Sequence, residues 1–309
     1  MGARDESGGT PIGRSTTTIS IAQTAPIRIH HLTEVLCEDP AALRRALPRA
    51  ASEALRLASG RSADAAAIER ALAGEPSVTG PLLSIAASGL FARSPGGASG
   101  TFPDVRGVVM QLGLEATRDV LLMVVTNGIA ARVPRFEAYA ETLRRRALAA
   151  GLAARLISRA LHVETSHDFL VGLLHDVGEL VLLQRAAEEG ILPAGVLDEP
   201  EGAVILEAID NDHTRVGGAV CRAWGLPPAI AEAAELHHDR RAGRRGRLPS
   251  QLAAAADVVA TRVTARGDDV ARASIFSEIG LSPNATAQVI ADVEAILPAL
   301  AVAGTAAQR

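Results

Sequence analysis

Beyond about residue 30 the chain carries a helical apolar period almost without interruption. Apolar positions recur three and four apart, as in Ala41-Ala42-Leu43 followed by Ala46-Leu47, on a background of Ala, Leu, Arg and Glu. These residues form helices readily, and the spacing places them on one face. No stretch shows the sustained alternation of β-branched residues that a half-buried strand needs. Val108-Val109 and the run Val120 to Val125 are short and read as buried helix. The pattern predicts an all-α fold. With 309 residues, 48% of them hydrophobic, the chain has core material for two packed helical subdomains.

Punctuation divides it. Residues 1–25 are rich in Gly, Ser and Thr and read as a flexible N-terminal tail. Pro48 and Gly60-Arg61-Ser62 delimit short helices, with Ser62 or Asp64 as an N-cap. Arg93 to Gly100 reads as an internal loop, and Pro134 precedes a long helix of about Phe136 to His162. Gly190 to Pro200 and Asp239 to Pro249 are further loops. The expected organisation is one helical subdomain over 26–133, a second over 135–300, and a C-terminal tail over 301–309. No fixed-period repeat suggests a solenoid.

Composition then removes function classes. The chain has no lysine, which excludes a Schiff-base or PLP mechanism and a Walker A loop. A net charge of −4 gives no global pull toward nucleic acid or anionic membrane, and 2% aromatic residues leave almost no platform for stacking bases. The one basic run, Arg240 to Arg247, has Gly between its charges and no aromatic neighbour, and reads as a solvated loop. Cys37 and Cys221 make no CxxC and no disulfide framework. Without a signal core or a membrane-length apolar stretch, the expected location is the cytoplasm.

The chemistry-bearing residues lie in the second half. Gly172-Leu173-Leu174-His175-Asp176-Val177-Gly178-Glu179 sets an adjacent His-Asp pair in an apolar helical segment. Downstream come Asp212-His213, then His237-His238-Asp239, then Asp257. Imidazole and carboxylate together suit zinc, manganese or iron, which activate water. The same groups also satisfy one another as a buried hydrogen-bonded cluster without an ion, and the residue pattern leaves both readings open. His30, His31, His162 and His167 have no evident partner, and Trp224 reads as a core anchor ending a helix.

The order His-Asp, His, His-His, Asp on helices resembles the HD superfamily of metal-dependent phosphohydrolases. The wider context is similar to the HDOD (HD-related output domain) family: Phe169 to Leu182, Asp212-His213 with Val216-Gly217-Gly218, and Trp224-Gly225-Leu226-Pro227 before His237-His238. N-terminally, Leu47-Pro48, Ile68-Glu69, Glu75-Pro76, Leu82-Leu83, Ala87-Ser88 and the Val108 to Leu122 region follow the family's first helical subdomain. The resemblance spans about residues 35–298 and implies an HD-domain-like C-terminal subdomain.

The departures carry the functional expectation. Active HD enzymes place a further His about thirty residues before the His-Asp pair, and Arg146 is the occupant here. A guanidinium has no lone pair for a metal. Glu179 stands where related HD-GYP phosphodiesterases have a Lys, and no GYP tripeptide follows His238. The resemblance therefore implies a degenerate site of Arg146, His175, Asp176, Glu179, His213, His237, His238 and Asp257, with no catalytic residue and no cofactor. No metal is expected; were one bound, His175, Asp176, His213, His238 and Asp257 would hold it. The implied function is a non-catalytic bacterial signal-transduction module acting through a protein partner. The alternatives are a sensor binding a nucleotide such as cyclic di-GMP, with Arg146 offering a fork to phosphate, or a metal-dependent phosphohydrolase. No receiver, GGDEF, EAL or DNA-binding segment accompanies the module, so its input is expected from other chains.

Overall fold

The computed structural model describes residues 21–45, 47, 49–58, 64–87, 102, 104–133, 136–163, 165, 167–192, 200–239, 248–265 and 272–305. Among them are fifteen α-helices and no strand, so the fold is all-α, as the apolar period requires. The basic run, the Arg93 to Gly100 loop and Ser62 lie outside the described residues. Asp64 is an N-cap: its carboxylate accepts from the Ala66 amide at 2.9 Å.

Helices α3 (Arg49–Ala58), α4 (Ala65–Leu72), α5 (Pro76–Ala87), α6 (Val105–Leu112) and α7 (Leu114–Ala130) pack on one another as a first cluster. The second is organised around α8 (Glu137–Ala160), against which lie α9 (Asp168–Leu173) and α13 (Leu248–Ala265). Its buried face, Ala147, Ala149, Ala150, Gly151, Ala153 and Ala154, is built of small residues, which let neighbouring backbones approach closely. Next come α10 (Val177–Glu188), α11 (Pro200–Ala223) and α12 (Pro228–Leu236), then α14 (Ser274–Glu278) and α15 (Pro283–Thr305). One apolar core runs through both clusters, and α7 touches α8, α9 and α10.

The expected boundaries need correcting at both ends. The first helix, α1 (Ile21–Glu38), begins inside the segment read as tail. Its buried Ala25, Ile29, Leu32 and Leu36 form an amphipathic stripe. That stripe faces α11 and α10, so α1 packs on the second cluster although its sequence position is in the first. With it α2 (Pro40–Arg44) also lies on α11. At the other end α15 continues through Thr305, past the boundary set at 300.

Trp224 is a core anchor, 9% exposed, and its indole donates to the Leu43 carbonyl at 3.2 Å. Gly225 beside it takes φ +70°, a left-handed conformation that lets the chain leave α11 toward Pro227. Among the described residues no helix is long and apolar enough to cross a membrane.

Candidate functional site

The His-Asp pair is not on a continuous helix. Leu174, His175 and Asp176 form a turn between α9 and α10. On a straight helix the two side chains would splay by about 100°; the break lets both face one centre. His237 and His238 likewise sit in the turn after α12, whereas His213 and Asp257 lie within α11 and α13. The flanking glycines explain how α9 and α10 come so close to their neighbours. A Cβ on Gly172 would stand 2.1 Å from the Ala150 carbonyl oxygen, and one on Gly178 would stand 2.0 Å from that of His213.

Asp176 is the hub. Its Oδ1 lies 3.2 Å from His213 Nε2 and 3.1 Å from His237 Nε2, and its Oδ2 lies 3.0 Å from His175 Nε2. Arg146, from α8, donates to the same Oδ2. The guanidinium also lies 3.5 Å from Glu179 Oε2 and 3.6 Å from Asp257 Oδ1. Asp257 is shared further, with His175 Nε2 at 3.4 Å and Arg272 Nη1 at 2.7 Å. The Tyr139 hydroxyl donates to Glu179 Oε1 at 2.6 Å. His238 is exposed and stacks at the edge, its ring centroid 4.2 Å from that of His237 and 5.1 Å from that of His213.

All eight residues singled out from the sequence thus meet in one cluster. Tyr139 and Arg272 belong to it as well and were missed. Tyr139 lies two turns before Arg146 on the same face of α8, a periodic signal that was available; Arg272 reaches Asp257 only through tertiary packing. Two histidines without evident partners in sequence have them in space: His30 Nδ1 lies 3.2 Å from Asp212, and His167 Nδ1 lies 3.2 Å from Arg118.

Electrostatics follow from burial and proximity. Burial alone would favour neutral His175, but Asp176 and Asp257 outweigh it and raise its pKa to about 10. His213 is raised too: Asp176 overcomes the burial that opposes its charge. Burial holds His237 below its ordinary value. Asp176 and Asp257 are both held down despite burial, chiefly by His175 and with help from Arg146. Glu179 is raised by burial and by Asp176.

A pH dependence follows. His175 has a folded pKa above its ordinary 6.5, so its contribution to stability is fully present below about 6.5 and is lost as pH rises toward about 10. Glu179, an acid raised on folding, also loses stabilisation as pH rises. The melting temperature measured in chelator should fall between pH 6.5 and 10, and His175→Gln should flatten that fall. A melting temperature that rises over this range would refute the assignment.

Two donor groups have spacings suited to an ion: His175, Asp176 and Asp257, and Asp176, His213, His237 and His238. They differ in fit. In the first group Arg146 already engages Asp176 Oδ2 and approaches Asp257 Oδ1, while Arg272 holds Asp257 Oδ2. A divalent ion there would meet two fixed cations, so this half does not fit a metal. The second half has no such cation on its oxygen: Asp176 Oδ1 is buried and accepts no directional hydrogen bond. It fits.

An all-helical core that gathers His-Asp, His, His-His and Asp onto one centre defines an HD-type domain. This chain belongs to the HDOD family, whose domain matches residues 45–240. The match is shorter than the 35–298 resemblance read from the sequence, and it leaves Asp257 and Arg272 outside. Among solved structures, the chain is similar to a candidate phosphohydrolase from Shewanella amazonensis SB2B, with 16% identity, TM-score 0.58, and coverage of 93% of this chain and 99% of that one. It is also similar to an HDOD domain protein from Geobacter sulfurreducens (18%, TM-score 0.57, 84% and 92%). A third likeness is to a candidate signal transduction protein from Marinobacter aquaeolei VT8 (14%, TM-score 0.58, 95% and 68%). At these identities the likeness is one of fold. No curated protein matches the chain.

Proposed function

We propose that this protein is a non-catalytic signalling module of bacterial type that acts by binding a protein partner, with its HD core serving as scaffold. The observation that carries this reading is Arg146. Its guanidinium lies among Asp176, Glu179 and Asp257, the carboxylates that would otherwise be available to a reaction-centre ion. A pair of ions clamping a phosphodiester needs both halves of the cluster, and one half is held by a side chain that is always charged. Glu179 adds a carboxyl, hydrogen-bonded to Tyr139, where a phosphate would need a positive group.

The nucleotide-sensor alternative loses its main support. Arg146 was expected to offer its fork to a phosphate, but its donors face three carboxylates instead. A phosphate could recruit it only by displacing those charges.

The test is direct. Purified protein supplied with manganese, iron or zinc should not turn over cyclic di-GMP or simple phosphodiesters. Metal-dependent turnover that vanishes in Asp176→Ala would overturn the proposal. Cyclic di-GMP binding without turnover, measured by calorimetry, would favour the sensor.

A further inference from the structure

Helix α1 precedes the segment matched to the HDOD domain, yet it covers α11, which lies within that segment. Its buried residues Ala25, Ile29, Leu32 and Leu36 fall at i, i+4, i+7 and i+11, the pattern of an amphipathic helix seated in a groove. Helix α11 answers with the same spacing. Ile205, Ile209, Asp212 and Val216 share one of its faces, and the three apolar ones are fully buried. At the rim, His30 Nδ1 lies 3.2 Å from Asp212 Oδ2, and Arg215 grips both carboxylate oxygens of Glu34. These two pairs advance in the same direction along both helices, so α1 and α11 run parallel. Arg28 donates to the Glu189 carbonyl, at the end of α10, at 3.3 Å.

The seat is apolar, but α1 fits it imperfectly. The Thr33 hydroxyl is fully buried and makes no hydrogen bond, which opposes docking. Pro26 lies inside α1 and removes one of its backbone hydrogen bonds. Ile27, Ile29, Thr33 and Val35 are β-branched and form helix less readily than Ala or Leu. The rim pairs add little, because the His30 and Arg215 side chains are 63% and 47% exposed. An isolated helix of 18 residues is marginal in water, so α1 is helical because it is docked.

We propose that the face of α10 and α11 beneath α1 is the docking groove for a partner protein, and that α1 occupies it until displaced. The occupant is an amphipathic helix lying parallel to α11, with α1 as its template. It carries apolar residues at i, i+4, i+7 and i+11, and an acidic residue two positions after the third of them, to meet Arg215. The inference rests on the reading that the chain acts through a protein partner, and it names the surface used. Asp212 and Arg215 stand on either side of His213 in the chain, so the groove adjoins the His-Asp cluster without using its side chains.

Two measurements on the full chain test this. In hydrogen exchange followed by mass spectrometry, the amides of α1 should exchange at least about tenfold faster than those of α8, through an opening that leaves the rest folded. The second uses a fluorescent peptide of residues Ile21–Glu38 carrying Glu34→Arg. Arg215→Glu, a surface change, sets the resident α1 against a like charge and offers the peptide an opposite one. The peptide should therefore bind the Arg215→Glu chain at least about tenfold tighter than the wild type. Adding Ile29→Ala and Leu32→Ala to the peptide should abolish that binding. Protection of α1 equal to that of α8 would overturn the proposal. So would a peptide that binds neither chain, or binds both alike. Both readouts are independent of turnover, so their failure strikes the groove alone.

Discussion

Replacing Gly178 by alanine should destabilise the protein by about 3–5 kcal/mol, at the severe end of single substitutions. The added Cβ would stand 2.0 Å from the His213 carbonyl oxygen, 2.5 Å from the Gly217 amide nitrogen and 3.0 Å from its Cα. All three are backbone atoms, so no side chain can rotate aside. Relief requires α10 and α11 to separate, and that separation carries His213 away from Asp176. At roughly 2–4 °C per kcal/mol for a chain of this size, the melting temperature should drop by about 10 °C. Gly128→Ala is the control. Gly128 lies in α7 with nothing outside its own helix within 4 Å of its would-be Cβ, so alanine there should stabilise by about 0.5–1 kcal/mol through helix propensity alone. If Gly178→Ala melted like the wild type, α10 and α11 could not pack as closely as the contact of Gly178 with His213 and Gly217 requires.

The same pair of helices shows what the sequence could and could not reveal. The all-α class was legible because the apolar period is a local property, repeated from α1 to α15. The cluster was legible because His and Asp are conspicuous in an apolar stretch. What was not legible is where the chain turns. Leu174 to Asp176 contains no Gly or Pro, and although Asp176 is the N-cap residue of α10, its carboxylate makes no capping bond and turns to the cluster instead, so the break between α9 and α10 shows only in the packing on α8 and α11. Nor does sequence reveal that Gly172 and Gly178 matter because of what passes beside them, the carbonyls of Ala150 and His213. The placement of α1 fails for a related reason. Its stripe of Ala25, Ile29, Leu32 and Leu36 predicts that one face is covered, without saying by which helix. The pairs His30–Asp212 and Arg215–Glu34, each joining residues about 180 apart in sequence, express that packing and have no local signature.

The role of Arg146 shows the limit most clearly. From sequence it was a residue that cannot ligate a metal; in space it is a cation that three carboxylates already share. This distinction changes the expected cost of losing Asp176. Counting unmade hydrogen bonds gives about 1–3 kcal/mol for each unsatisfied buried group. Removing one partner of a buried ion pair costs about 3–5 kcal/mol, because the other charge is stranded. Asp176 is 9% exposed and faces Arg146, His175, His213 and His237, so the larger figure applies to Asp176→Ala in chelator-treated protein. Asp176→Asn keeps the shape and removes only the charge, and should retain most of that loss. The double variant Asp176→Ala with Arg146→Leu removes the stranded guanidinium together with its partner. The Arg146 side chain is 26% exposed and can turn partly to water, so the recovery should be modest, about 1 kcal/mol. Denaturant unfolding of the four proteins measures each term. If Asp176→Ala were as stable as the wild type, the carboxylate would not be holding the core together, and the scaffold reading would lose its physical basis.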